Sequence, residues 1–83
     1  MKFYHATTPK KLERYKATGV ILPPVRFWTS IKTATDWALR VKRTIILEVE
    51  PDHAYPLPDH KPKGCAWWTD SMVREWIIVR SDQ

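Results

Sequence analysis

The run Thr44-Ile45-Ile46-Leu47-Glu48-Val49-Glu50 limits the fold more than any other stretch. Its β-branched residues favour a pleated backbone, and Pro51 cannot continue a hydrogen-bonded ladder. Successive side chains of a strand point to opposite faces. The first half of the run is therefore apolar on both faces, as in a central strand. From Leu47 the pattern alternates, with Leu47 and Val49 opposite Glu48 and Glu50.

Other elements follow from local chemistry. Lys2 to His5 alternates and is aromatic, which suits a first strand. Thr8 is positioned as an N-cap, with Pro9 at the first helical position, where its missing N–H costs nothing. Gly19 is a natural stop for that helix, and Leu12 and Tyr15 form its inner stripe. Val20-Ile21-Leu22 ends at Pro23-Pro24. Val25 to Thr29 reads as an aromatic strand. Thr29 or Ser30 then caps a second helix that runs to about Val41, with Ile31, Ala34 and Ala38 on one face. Residues 51–64 carry Pro51, Pro56, Pro58 and Pro62 and read as an irregular segment. Cys65-Ala66-Trp67-Trp68-Thr69 is a short strand, and Arg74 to Val79 is a closing one. Adjacent Trp67 and Trp68 must face opposite ways, so one of them lies outside the main core, under the Pro-rich segment or against a flat ligand.

The chain of 83 residues is expected to form a single domain with one core. Five Trp, three Tyr and two Phe supply much of its apolar area. A lone cysteine, Cys65, excludes an internal disulfide and a cysteine-rich zinc site. His5, His53, His60 and Cys65 match no metal-ligand spacing, so no metal is expected. No apolar run approaches the ~20 residues that span a bilayer, and no leader pattern opens the chain. The expectation is a cytoplasmic protein without a membrane. The net charge of +5 favours anionic partners. Lys10, Lys11, Arg14 and Lys16 fall mostly on the outer face of the first helix, and Arg40, Lys42 and Arg43 close the second.

Three places, in order, resemble the ADP-ribosyltransferase superfamily of the diphtheria-toxin and poly(ADP-ribose) polymerase type. Tyr4-His5-Ala6-Thr7 is similar to its aromatic-His-Gly-Thr opening, with Ala6 in place of Gly. Phe27-Trp28-Thr29-Ser30, followed by Ala34 and Ala38, is similar to its second motif. Arg74-Glu75-Trp76-Ile77-Ile78 is similar to its third. The resemblance implies an α+β domain with about five or six short strands in two small sheets and two helices, with NAD bound in the cleft between the sheets. It implies that His5 holds a ribose hydroxyl, that Thr7, Thr29 and Ser30 support the site, and that Phe27 or Trp28 stacks on nicotinamide. Glu75 would be the catalytic group, stabilising positive charge as nicotinamide leaves NAD and the ADP-ribose passes to an acceptor, protein or nucleic acid. Val73 stands where arginine-modifying members carry Gln or Glu, so arginine is not the expected acceptor. The alternative is a non-catalytic basic module that binds nucleic acid or a protein. The two readings part on one distance. Only the first needs His5 and Glu75 in one cleft, and beyond about 12 Å they cannot both bond one ribose directly.

Overall fold

The computed structural model of the chain describes residues 2–57 and 66–81. Its elements are β1 (Phe3–Thr7), α1 (Pro9–Thr18), β2 (Val25–Trp28), α2 (Ile31–Arg40), β3 (Ile45–Val49), β4 (Tyr55–Pro56), β5 (Ala66–Thr69) and β6 (Trp76–Ser81). The strands form one antiparallel sheet of six in the order β4-β5-β2-β1-β3-β6. The fold is α+β with two helices. One sheet takes the place of the two that were expected, because β1 hydrogen-bonds to β2 on one side and to β3 on the other.

That join is uneven. β1 pairs with β3 along five residues, from Phe3↔Val49 to Thr7↔Ile45. With β2 it makes a single pair, Tyr4↔Trp28. Continuing that antiparallel register would set His5 opposite Phe27 and Ala6 opposite Arg26. Neither pair forms, so the two strands part beyond Tyr4.

The central-strand reading of Thr44–Leu47 holds: β3 lies between β1 and β6, and Ile45, Ile46 and Leu47 are all buried. Each face of the sheet carries one helix. Phe3, Val25, Phe27, Leu47 and Val49 face one way and receive Leu12 and Tyr15 of α1. Ala6, Trp28 and Ile46 face the other way and receive Ala34 and Ala38 of α2. The two alanines let that helix backbone lie close on the strands.

The helix ends follow the sequence signals. Thr8 Oγ1 accepts from Lys11 N–H at 3.2 Å, and Gly19, at φ 79°, donates its N–H to Tyr15 O. Ser30, not Thr29, caps α2, its Oγ accepting from Thr33 N–H at 3.1 Å. Ile21 and Val73 exchange two backbone hydrogen bonds, so β6 starts later than expected, at Trp76.

The Pro-rich segment is not wholly irregular. Tyr55 and Pro56 pair with Trp68 and Trp67 as β4. This strand is an edge, where a proline without an N–H is tolerated. Residues 58–65, including His60 and Cys65, lie outside the described residues. Trp67 packs against Phe3 at 5.6 Å between ring centroids, and Trp68 lies on the opposite face, 5.4 Å from Tyr55. Trp37 packs on Trp28, and Trp76 against Tyr15, as core readings of both imply.

Candidate functional site

The parting of β1 and β2 leaves carbonyl oxygens that a continued ladder would have satisfied. Buried carbonyls need another donor, and side chains supply it. His5 Nδ1–H donates to Arg26 O at 2.6 Å, and Arg43 Nη1 donates to Ala6 O at 2.9 Å. Ala6 and Arg26 are the residues that the continued register would have joined. The side chains of His5 and Arg43 therefore hold the gap open and keep it dry of unpaired backbone.

The tautomer of His5 follows. A carbonyl oxygen only accepts, so Nδ1 carries the proton. Burial pushes the imidazole pKa down to about 4; the Arg26 carbonyl opposes that fall, and the Arg43 and Lys11 cations add to it. The ring is thus neutral near pH 7, and Nε2 is an acceptor. Tyr15 Oη donates to it at 3.4 Å and itself accepts from Thr7 Oγ1 at 3.3 Å. The first of these is longer than a well-formed bond, so Nε2 is open to a better donor.

A pocket of about 630 Å³ lies at this gap, within the range of small-molecule sites. Its cations are Lys11 and Arg14 from α1, Arg26 from β2 and Arg43 from the turn after α2. Trp28, Trp37 and Trp68 supply flat walls, and Tyr15 lies beside His5. Among the described residues that line it, none is acidic. The Lys11 pKa is lowered, first by the Arg43 cation, then by partial burial, then by Arg14. Cations held close enough to disturb one another make a site for an anion.

The residues expected at a site are not all brought together. His5 and Trp28 line the pocket. Thr7 is fully buried and acts through Tyr15. Phe27 does not reach the pocket: it is fully buried, its ring 4.7 Å from Phe3, because alternation turns it to the α1 side and Trp28 to the α2 side. Ser30 is spent on its cap and on Thr33 Oγ1, and Thr29 is exposed outside the lining.

Glu75 stands apart from His5. His5 lies opposite Leu47, and Leu47 opposite Ile78. Glu75 is therefore two strands across and three residues along, about 14 Å at ~4.8 Å per strand and ~3.3 Å per residue. It is exposed and lines a shallower hollow with Glu48, Glu50, Trp76 and Ile77. Its carbonyl accepts from Glu50 N–H at 3.0 Å.

Sequence reading put Lys11 and Arg14 on the outer face of α1, Tyr15 in its inner stripe and Arg43 at a helix end, and did not single out Arg26; the structure brings all five to the pocket. One signal was present: Lys11, Arg14 and Thr18 recur at helical spacing beside Tyr15, so they form one stripe. Among the described residues no three His, Cys, Asp or Glu side chains group closely enough to hold a metal ion, and no helix is long and apolar enough to cross a membrane. No protein-family model, curated protein or solved structure matches the chain.

Proposed function

We propose that the protein is an ADP-ribosyltransferase-like domain that binds NAD in the pocket between β1 and β2 without turning it over, because Glu75 lies outside that pocket. One observation supports this above the others: a buried, neutral histidine offers an acceptor nitrogen to a pocket walled by cations and tryptophans. A ribose hydroxyl donates to His5 Nε2 in place of the 3.4 Å contact from Tyr15. The diphosphate lies among Lys11, Arg14 and Arg43, where paired N–H donors and unopposed charge favour it. The nicotinamide or adenine ring lies flat on Trp28.

Catalytic turnover is the second reading, and the geometry favours it less. Displacing nicotinamide develops positive charge, and an anionic group beside it lowers the barrier. Glu75 is about 14 Å from His5 by strand and residue spacing, and no acid lines the described pocket. The test is a titration of isotope-labelled protein with NAD, with nicotinamide assayed in the same sample. Shifts at His5, Ala6 and Trp28 without nicotinamide release support a binding domain. Release that Glu75→Gln abolishes restores the transferase reading with Glu75 as its catalytic group. No shifts at millimolar NAD refute both.

A further inference from the structure

We infer that the open sheet face leading into the pocket is a docking platform for single-stranded nucleic acid. The inference rests on the geometry of β4, β5 and β2, and does not require NAD to be the pocket's ligand.

Tyr55, Trp68 and Arg26 form one cross-strand row. Tyr55 is opposite Trp68, and Trp68 is opposite Arg26. Directly opposed residues in an antiparallel sheet share a face, so the three side chains stand side by side, spanning about 10 Å at ~4.8 Å per strand. The Tyr55 and Trp68 rings are 5.4 Å apart at 45°. α2 packs on this face over β1, β2 and β3, but the row is not covered: Tyr55 is 43% exposed, Arg26 is exposed and Trp68 between them is half-buried. At its inner end the row runs into the pocket, whose lining Trp68 and Arg26 share with Lys11, Arg14 and Arg43.

Rings on a sheet face beside a basic groove are the chemistry that holds unpaired bases. Each base stacks on an aromatic ring, and the backbone phosphates follow the cations. A duplex offers no unstacked base to such rings. A protein partner of acidic sequence would use the cations and leave the rings idle. The platform has room for about two bases, a length typical of aromatic pairs on sheets, with the next phosphate at the pocket mouth. None of the ion pairs among the described residues uses Arg26, Lys11, Arg14 or Arg43.

The experiment is fluorescence anisotropy of a short labelled oligothymidylate, with a duplex of equal length as competitor, at several salt concentrations. Expected are binding that weakens steeply with salt, a single strand preferred over the duplex, and quenched tryptophan emission. Tyr55→Leu, which keeps an apolar side chain and removes the ring, should weaken binding about 5- to 100-fold, while Tyr55→Phe keeps it. Arg26→Gln should lower the salt slope by about 0.7. Circular dichroism checks that each variant is folded. Three results each overturn the platform: no binding at low salt, equal affinity for duplex and single strand, or wild-type affinity in Tyr55→Leu. NAD titration is separate, so failure of either ligand leaves the other result standing.

Discussion

Acidification measures the state of His5 directly. In the folded protein its pKa is about 4, and the ordinary value is 6.5. The unfolded chain therefore binds the proton first as pH falls. Stability linked to His5 is complete above about pH 6.5, declines below it, and is lost as pH passes through about 4. The difference corresponds to roughly 3 kcal/mol in full, of which about 2 kcal/mol is gone by pH 5. That is a large share of the stability of a domain this small. Urea unfolding between about pH 7.5 and pH 4.5 gives the curve for wild type. His5→Asn keeps an N–H near the position of Nδ1 and removes the titration, so its curve should be flatter by about 2 kcal/mol at pH 5. The His5 imidazole resonances of wild type, identified by their loss in His5→Asn, should show no midpoint near pH 6.5. Parallel stability curves for the two proteins, or a His5 resonance that titrates near its ordinary value, would refute the buried neutral histidine and with it the acceptor role of Nε2.

Further outcomes follow from the packing. Phe27→Ala empties a fully buried site against Phe3; it should cost about 3–5 kcal/mol in urea unfolding, and a loss below 1 kcal/mol would place Phe27 outside the core. Ser30→Ala removes the cap of α2 and should lower stability by about 1 kcal/mol, readable as a fall in Tm. Tyr15→Phe removes the hydroxyl that links Thr7 to His5; about 1 kcal/mol of stability should be lost while NAD affinity holds or rises, and a tenfold loss of affinity would make Tyr15 a ligand contact instead. Gly19→Ala forces a side chain into φ 79° with no atom within 4 Å of its Cβ, so thermal unfolding should report the backbone cost alone, about 1 kcal/mol.

Local chemistry made much of the fold legible. The caps at Thr8 and Ser30, the stop at Gly19 and the doubly apolar β3 depend on neighbours in sequence, and all of them form. The opposite facing of Trp67 and Trp68 followed from strand alternation. Tyr55–Pro56 did not read as a strand, because two residues have no period and its pairing partner lies ten residues or more along the chain. The single sheet was likewise illegible, since whether β1 is joined to β2 depends on one pair, Tyr4↔Trp28. His5 and Trp28 were singled out by the resemblance, and both line the pocket. Glu75 was matched by its order in the chain, and order does not fix how many strands separate two residues. Arg43 was read as a cation at a helix end, and nothing local shows that its guanidinium reaches Ala6 O.

A small sheet has little concave surface, so a pocket must be made by breaking something regular. Here the break is between β1 and β2, after the single pair Tyr4↔Trp28. Opening a ladder leaves backbone carbonyls without their ladder donors, here the part-buried ones of Arg26 and Ala6. His5 and Arg43 supply the replacement donors, and both also line the pocket that the break creates. These side chains thus both replace the lost ladder bonds and shape the pocket. His5→Ala should both destabilise the protein and close or reshape the pocket, whereas a change at Lys11 or Arg14, whose side chains take no part in the parted ladder, should reduce anion binding alone. A neutral histidine, with an N–H on one side and a lone pair on the other, satisfies Arg26 O through Nδ1 and leaves Nε2 as an acceptor beside Tyr15.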